Sequence, residues 1–139
     1  MVKTFATNVF SLFWLTQAAL PFLPEGGTIV TTSSVQAYYP GEILIDYAST
    51  KCAIIGFTRA LAKQVASKGI RVNCVAPGVI ETDMMASFTA EDKAALAEET
   101  PVERLGTPEE VARTLVFLAG RGAGFITGQV LGVNGGIVI

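Results

Sequence analysis

A tyrosine and a lysine that could form an acid–base pair lie four positions apart, at Tyr47 and Lys51, in the segment YASTK. Residues with this spacing occupy one face of a helix, so the phenol and the ammonium would be neighbours. A tyrosine hydroxyl, with an ordinary pKa near ~10, is a weak base at neutral pH, but a nearby lysine cation favours the phenolate and lowers that pKa. Because the chain contains no histidine, this pair could be its means of proton transfer.

A serine at the end of a predicted strand supports this interpretation. Ligands of open parallel sheets bind beyond the carboxyl ends of the strands, and the hydroxyl of Ser34 could there hydrogen-bond a substrate carbonyl. Ser33 fits equally well by composition, and a loop serine can also simply cap its own turn. Short Y-x-x-x-K matches arise by chance as well, so these residues alone leave a purely structural pair open.

A loop after the second predicted strand could also contact a ligand. Its sequence is PGVIETD, residues 77–83. Gly78 would allow close approach of the backbone to a ligand, and Thr82 offers a hydroxyl group. The alternative is an ordinary turn, and composition does not separate the two.

Several classes of function are excluded by residues that the chain lacks. Without histidine it cannot form a Ser-His-Asp hydrolase, a Cys-His protease or a histidine zinc site. Cys52 and Cys74 are too few for a disulfide scaffold or a cysteine-only metal site, so no metal site is expected. Both are predicted to be small buried residues in a reducing compartment. A serine–lysine hydrolase is not excluded, but Ser34 lacks a nucleophile-elbow sequence.

Charge and hydropathy argue against binding to nucleic acid or to a membrane. The formal net charge is −2, and no run of basic residues is present, so an electrostatic surface for either partner is not expected. The apolar N-terminal stretch is interrupted by polar residues, is too short to span a bilayer and lacks the features of a signal peptide. We therefore expect a cytoplasmic protein.

The elements that must position these residues alternate between helix and strand. Helices are predicted over about 2–22, 47–67, 89–98 and 108–119, and strands over 28–33, 70–77 and 129–136. Asp46 is predicted to cap the second helix and Gly69 to end it, and the apolar residues on most faces of this helix predict burial, including burial between subunits. Short apolar strands between helices predict an α/β fold with a parallel sheet covered on both faces.

Five segments together resemble the short-chain dehydrogenase/reductase family: TTSS, YASTK, IRVNCVAPGVIETDM, RLGTPEEVA and FITGQVLGVNGG. The resemblance extends over nearly the whole chain and implies part of a Rossmann-like doubly wound parallel sheet, with three C-terminal strands and their flanking helices. Residues 1–139 would then be the C-terminal part of the domain, without the N-terminal dinucleotide-binding βαβ unit. The GRGAG stretch at 120–124 does not replace that unit, because it follows a helix and precedes a strand.

The resemblance also implies roles for individual residues. Tyr47 would be the catalytic acid–base, Lys51 its partner and a ligand of the nicotinamide ribose, and Ser34 the residue that orients the substrate carbonyl. Asn8, in TNVF, would complete the catalytic set and hold a water for proton relay, whereas from the residues alone a bond to nearby backbone is favoured. The residues implied to bind the cofactor are Asn8, Tyr47, Lys51, Pro77, Gly78, Ile80 and Thr82.

The function implied is that of an oxidoreductase dependent on NADP or NAD, with NADP favoured, that interconverts an aldehyde or ketone with an alcohol. The most similar branch would be the NADP-linked aldehyde and ketone reductases and glucose-dehydrogenase-like enzymes, and a homodimer or homotetramer would be expected. The alternative is a truncated, non-catalytic remnant that serves as an assembly or interaction module. A glycine-rich strand–turn–helix encoded upstream of Met1 would favour the enzyme.

Overall fold

Three parallel strands form one sheet in the order β1–β2–β3 in the computed structural model, which describes residues 1–139. The strands are β1, Thr28–Thr32, β2, Arg71–Pro77, and β3, Val130–Val133. Thr32 pairs with Val75 and Pro77 with Val133, so the carboxyl ends of neighbouring strands lie together. The predicted α/β class with three parallel strands is confirmed, although β3 is shorter than the predicted 129–136.

Helices precede and follow the strands in the predicted order. The N-terminal helical segment, residues 2–22, is continuous but not uniform, because a π-helical turn divides it. Its parts are α1 (Val2–Phe5), the π turn (Ala6–Phe10), α2 (Ser11–Ala19) and a 3₁₀ turn (Leu20–Phe22). The remaining helices are α3 (Ile45–Val65), α4 (Ala90–Glu98) and α5 (Pro108–Ala119).

Alternate residues of β2 face two separate apolar clusters. Val72 packs with Leu61 and Val65 of α3, whereas Val75 packs with Leu118 of α5. Since successive side chains of a strand point to opposite faces of a sheet, α3 and α5 cover opposite faces. The sheet is therefore covered on both faces, as predicted, and the C-terminal half of α3 packs against it.

The predicted start of α3 is wrong by two residues. The helix begins at Ile45 with Leu44 as N-cap, and Asp46 lies inside the first turn. Its carboxylate accepts hydrogen bonds from the Thr4 hydroxyl at 2.6 Å and the Tyr47 N–H at 2.9 Å. The contact with Thr4, the larger cause, and the contact with Tyr47 lower the pKa of Asp46. Asp46 thus connects α3 to the N-terminal helical segment rather than capping its own helix.

The prediction that both cysteines are buried is half wrong. Cys74 is fully buried in β2, but Cys52 is exposed on α3, where its Sγ lies 3.2 Å from the carbonyl oxygen of Ala37. The helix does not bury every apolar position, because the sheet covers only one of its sides. None of the helices is long and apolar enough to cross a bilayer.

Candidate active site

Tyr47 and Lys51 lie on successive turns at the start of α3, as their spacing predicts. The Nζ of Lys51 is 5.3 Å from the centre of the Tyr47 ring, within the range of a cation–π contact. The same Nζ donates a hydrogen bond of 3.2 Å to the carbonyl oxygen of Thr32, the last residue of β1. The lysine is therefore held between the end of a strand and the tyrosine ring.

Lys51 is a half-buried cation without a counter-ion. Burial lowers the pKa of its ammonium, and no carboxylate forms a salt bridge with it. Cys74, behind it in the sheet, contributes no negative charge, because burial raises the pKa of its thiol. An ammonium in this position can stabilise a phenolate or donate hydrogen bonds to hydroxyl groups of a ligand.

The two candidate serines differ in how their hydroxyl protons are used. Ser33 donates a hydrogen bond of 2.8 Å to the carbonyl oxygen of Lys51, so its proton is committed to the backbone. Ser34 accepts a hydrogen bond of 3.2 Å from the N–H of Gln36 and makes no donated bond. Ser34 does cap its own turn, and yet it keeps a proton that it can donate to a ligand.

Asn8 lies in the π turn and contacts α3. Its Nδ2 donates to the Thr50 hydroxyl at 3.0 Å, and that hydroxyl donates to the carbonyl oxygen of Tyr47 at 2.6 Å. Asn8 therefore does not make the hydrogen bond to nearby backbone that was favoured from the sequence without the family resemblance. Thr50 has no part in the sequence prediction, because nothing in YASTK distinguishes its hydroxyl from that of Ser49.

The π turn changes how the backbone around Asn8 is bonded. The N–H of Ser11 bonds to the carbonyl of Ala6, and the carbonyl of Thr7 accepts the Ser11 hydroxyl instead. Single π turns inside α-helices occur frequently at functional sites. Apolar periodicity does not detect such a turn, so the sequence predicted one uniform helix.

The loop after β2 begins beside the end of β1. Pro77 is the last residue of β2 and Ile80 forms a bridge with Gly106. The Thr82 hydroxyl has no hydrogen-bond partner in the chain, and Thr82 precedes a 3₁₀ turn. The bridge to Gly106 thus holds the loop in place, and the Thr82 hydroxyl stays free to bond a ligand.

Packing within the chain requires a glycine at position 78, a reason that the sequence prediction missed. A Cβ atom at this position would lie 2.8 Å from the Cα and 3.0 Å from the Cβ of Asn134. The close approach that glycine allows is therefore an approach to the segment after β3. Packing against Asn134 is enough to explain why glycine occupies position 78, whether or not a ligand also approaches there.

Replacing Gly78 with alanine is expected to lower the free energy of unfolding by about 1–3 kcal/mol, because backbone must move to admit the methyl group. The control is Gly56→Ala in α3, where an added Cβ would meet nothing within 4 Å. That substitution is expected to stabilise the helix by about 0.5–1 kcal/mol. Urea unfolding measures both changes, and equal stability of Gly78→Ala and the unsubstituted chain would contradict the packing argument.

Comparison with known proteins gives consistent matches over nearly the whole chain. A family model described as enoyl-(acyl carrier protein) reductase matches residues 1–138. The uncharacterized oxidoreductase YghA of Escherichia coli is 53% identical over 136 residues, which are 96% of this chain and 46% of that protein. The NADPH-dependent aldehyde reductase 1 of Arabidopsis thaliana is 50% identical over 139 residues, 99% of this chain and 48% of that protein.

Solved structures agree with these relatives. A short-chain dehydrogenase/reductase from Brucella melitensis, described as a glucose/ribitol dehydrogenase, superposes with a TM-score of 0.93 at 39% identity, over 99% of this chain and 56% of that one. A blue fluorescent protein from a metagenomic library, solved in complex with NADPH, gives a TM-score of 0.88 at 34% identity, over 95% of this chain and 53% of that one. The chain spans about half the length of the curated relatives it matches.

Proposed function

The chain belongs to the short-chain dehydrogenase/reductase family, and on that basis we propose that it carries the catalytic residues of an NAD(P)-dependent oxidoreductase that interconverts an aldehyde or ketone with an alcohol. The observation that carries this proposal is the half-buried Lys51, without a counter-ion and 5.3 Å from the Tyr47 ring centre. An uncompensated buried charge is costly for folding. Its place beside the Tyr47 ring therefore points to a role in the chemistry of the tyrosine rather than in stability.

The proposed roles follow from which hydrogen-bonding groups remain available. The Tyr47 hydroxyl has no partner in the chain and can give its proton to a carbonyl oxygen. The free proton of Ser34 can bond to the same oxygen and orient it. We propose that Asn8 holds a water molecule, as the family resemblance implies.

The residues of this site suit the nicotinamide end of the cofactor, which supplies a hydride when it is bound. Lys51 uses one N–H on Thr32, and an ammonium has three to donate, so two remain for ribose hydroxyls. The loop with Pro77, Gly78, Ile80 and Thr82 leaves β2 beside the end of β1 and is assigned to the same end of the cofactor. We favour NADP over NAD, because one similar aldehyde reductase is NADPH-dependent and one similar solved structure is a complex with NADPH.

The remaining part of the cofactor needs another protein segment. None of the glycines in the chain lies in a turn that leads from a strand into a helix with the G-x-G-x-x-G spacing, so the pyrophosphate has no cradle here. We therefore propose that residues 1–139 are the C-terminal part of a short-chain dehydrogenase/reductase domain. The relatives, about twice as long, support this division.

Reduction of an aldehyde or ketone, followed by the loss of NADPH absorbance, tests the proposal. The protein that contains this chain is expected to reduce at least one carbonyl in a panel of simple aldehydes, sugars and ketones. A folded protein inactive with every carbonyl and with both NADPH and NADH would favour the second candidate, a non-catalytic assembly module.

Two apolar surfaces support association of the chain with a second copy. One is on the N-terminal helical segment, where Phe13, Trp14 and Phe22 are exposed, and the other includes the exposed Phe117 and Phe125 near β3. The free edge of β1 adds unpaired backbone groups, since this strand pairs only with β2. Such surfaces are characteristic of protein interfaces, and we propose a homodimer or homotetramer.

Sedimentation equilibrium at low micromolar concentration is expected to give a dimer or a larger species. Paired substitutions separate the two surfaces: Phe13→Gln with Trp14→Gln on the N-terminal helical segment, and Phe117→Gln with Phe125→Gln near β3. At least one pair is expected to lower the mass. A soluble monomer that unfolds cooperatively, before any substitution, would contradict association.

A further inference from the structure

The hydroxyl of Thr50 hydrogen-bonds both to its own helix, α3, and to Asn8 in the π turn. Thr50 is 0% exposed and lies directly before Lys51. Its hydroxyl contacts both the carbonyl oxygen of Tyr47, at 2.6 Å, and the Nδ2 of Asn8, at 3.0 Å. Thr50 therefore connects the π turn to the first turn of α3, where the proposed proton donor is attached.

The chemistry of these contacts fixes the orientation of the Asn8 amide. A hydroxyl has one proton, and a carbonyl oxygen can only accept, so the proton of Thr50 is committed to Tyr47. The remaining lone pairs of Thr50 need a donor, which the Nδ2 of Asn8 supplies and its Oδ1 cannot. The Oδ1 is left without a hydrogen bond from the chain and is free to accept one from water or ligand.

We propose that Thr50 is a positioning residue that holds the amide of Asn8 with Nδ2 on α3 and Oδ1 presented as an acceptor. The effect on catalysis rests on the proposed function, in which Asn8 holds the water that resupplies protons. With the amide reversed, the site would present a donor where it now presents an acceptor. The orientation itself is independent of catalysis and can be measured without it.

A second buried threonine on α3 provides a matched control. Thr58 is also 0% exposed and bonds a carbonyl of its own helix, that of Ile54, at 2.8 Å. Its second hydrogen-bond partner is the Thr31 hydroxyl in β1, at 2.7 Å, and it makes no hydrogen bond to a residue of the proposed site. Thr58→Val thus removes an equally buried hydroxyl from the same helix and leaves Asn8 unaffected.

The test is the side-chain amide signal of Asn8 in a ¹⁵N NMR spectrum of the full chain, identified by its disappearance in Asn8→Asp. Thr50→Val is expected to shift this signal and to speed its hydrogen exchange about tenfold, the effect of one lost hydrogen bond. Thr50→Ser, which keeps the hydroxyl, is expected to preserve it. If Thr50→Val does not fold, Thr50→Ala removes the same hydroxyl and is read in the same way.

An unchanged Asn8 signal in Thr50→Val, or an equal change in Thr58→Val, overturns the proposal. In the active protein, Thr50→Val is expected to lower kcat about 10–100-fold with little change in KM, and to have no further effect once Asn8 is alanine. Additive losses in that double variant would also overturn it. Inactivity of the unsubstituted protein would contradict the proposed function and leave the NMR result standing.

Discussion

Tyr47→Phe is expected to abolish carbonyl reduction, with kcat lower by about 10²–10⁴-fold, the usual contribution of a positioned proton donor. The substitution removes only the phenolic hydroxyl, which has no partner in the chain, so no internal hydrogen bond is lost. The ring that lies 5.3 Å from the Nζ of Lys51 is kept. Folding, measured by circular dichroism and urea unfolding, should therefore be unchanged while NADPH consumption stops.

Two other tyrosines serve as matched controls for this result. Tyr38 and Tyr39 are exposed in the loop between β1 and α3, close to the site in sequence but without a lysine one turn away. Tyr38→Phe and Tyr39→Phe should keep at least half of the activity, within the small effects of ordinary surface substitutions. Near-normal turnover by Tyr47→Phe would rule out Tyr47 as the proton donor.

Lys51→Met should damage the enzyme without damaging the fold. We expect kcat to fall about 100-fold or more, because the electrostatic support of the tyrosine is removed, and the KM for NADPH to rise about tenfold, the effect of lost hydrogen bonds to the ribose. Steady-state kinetics with the cofactor varied separate the two effects.

The stability of the same variant tests the electrostatic argument. Because burial lowers the pKa of Lys51 in the folded state, the charged form is penalised by folding at neutral pH. That penalty disappears only as the pH rises through the folded pKa towards the unfolded one. Lys51→Met should thus match or exceed the parent in urea unfolding at neutral pH, and Lys63→Met, an exposed position of α3, should leave kcat unchanged. A clear loss of stability in Lys51→Met would mean that the lysine has a structural role.

The elements of the fold were predictable where local chemistry determines them. The β-branched residues of β1 and β2 favour strands in most contexts. The start of α5 was predicted from Thr107 and Glu110, whose side chains each bond the other's backbone N–H in a capping box, with Pro108 in the first turn. Tyr47 and Lys51 were predicted as neighbours because helical spacing requires it.

Features that depend on distant parts of the chain were not predictable in this way. Asp46 looked like a helix cap, but Thr4 lies against its carboxylate. The packing of Gly78 against Asn134, 56 positions away, was not visible in the local sequence either. Thr50 gave no signal, because its importance comes from Asn8, which lies 42 positions away. Local sequence patterns carry no information about such contacts until the tertiary structure brings the segments together.

Strand β1 and helix α3 are joined by a reciprocal pair of hydrogen bonds. Lys51 donates from its side chain to the carbonyl of Thr32, while the backbone carbonyl of Lys51 accepts the Ser33 hydroxyl. The two bonds fix both the backbone and the side chain of Lys51 relative to the end of β1. The ammonium is thereby held in place before any ligand arrives, so little conformational entropy is left to lose on binding. Ligand affinity at this point of the site should thus depend on contacts already formed rather than on rearrangement of the protein.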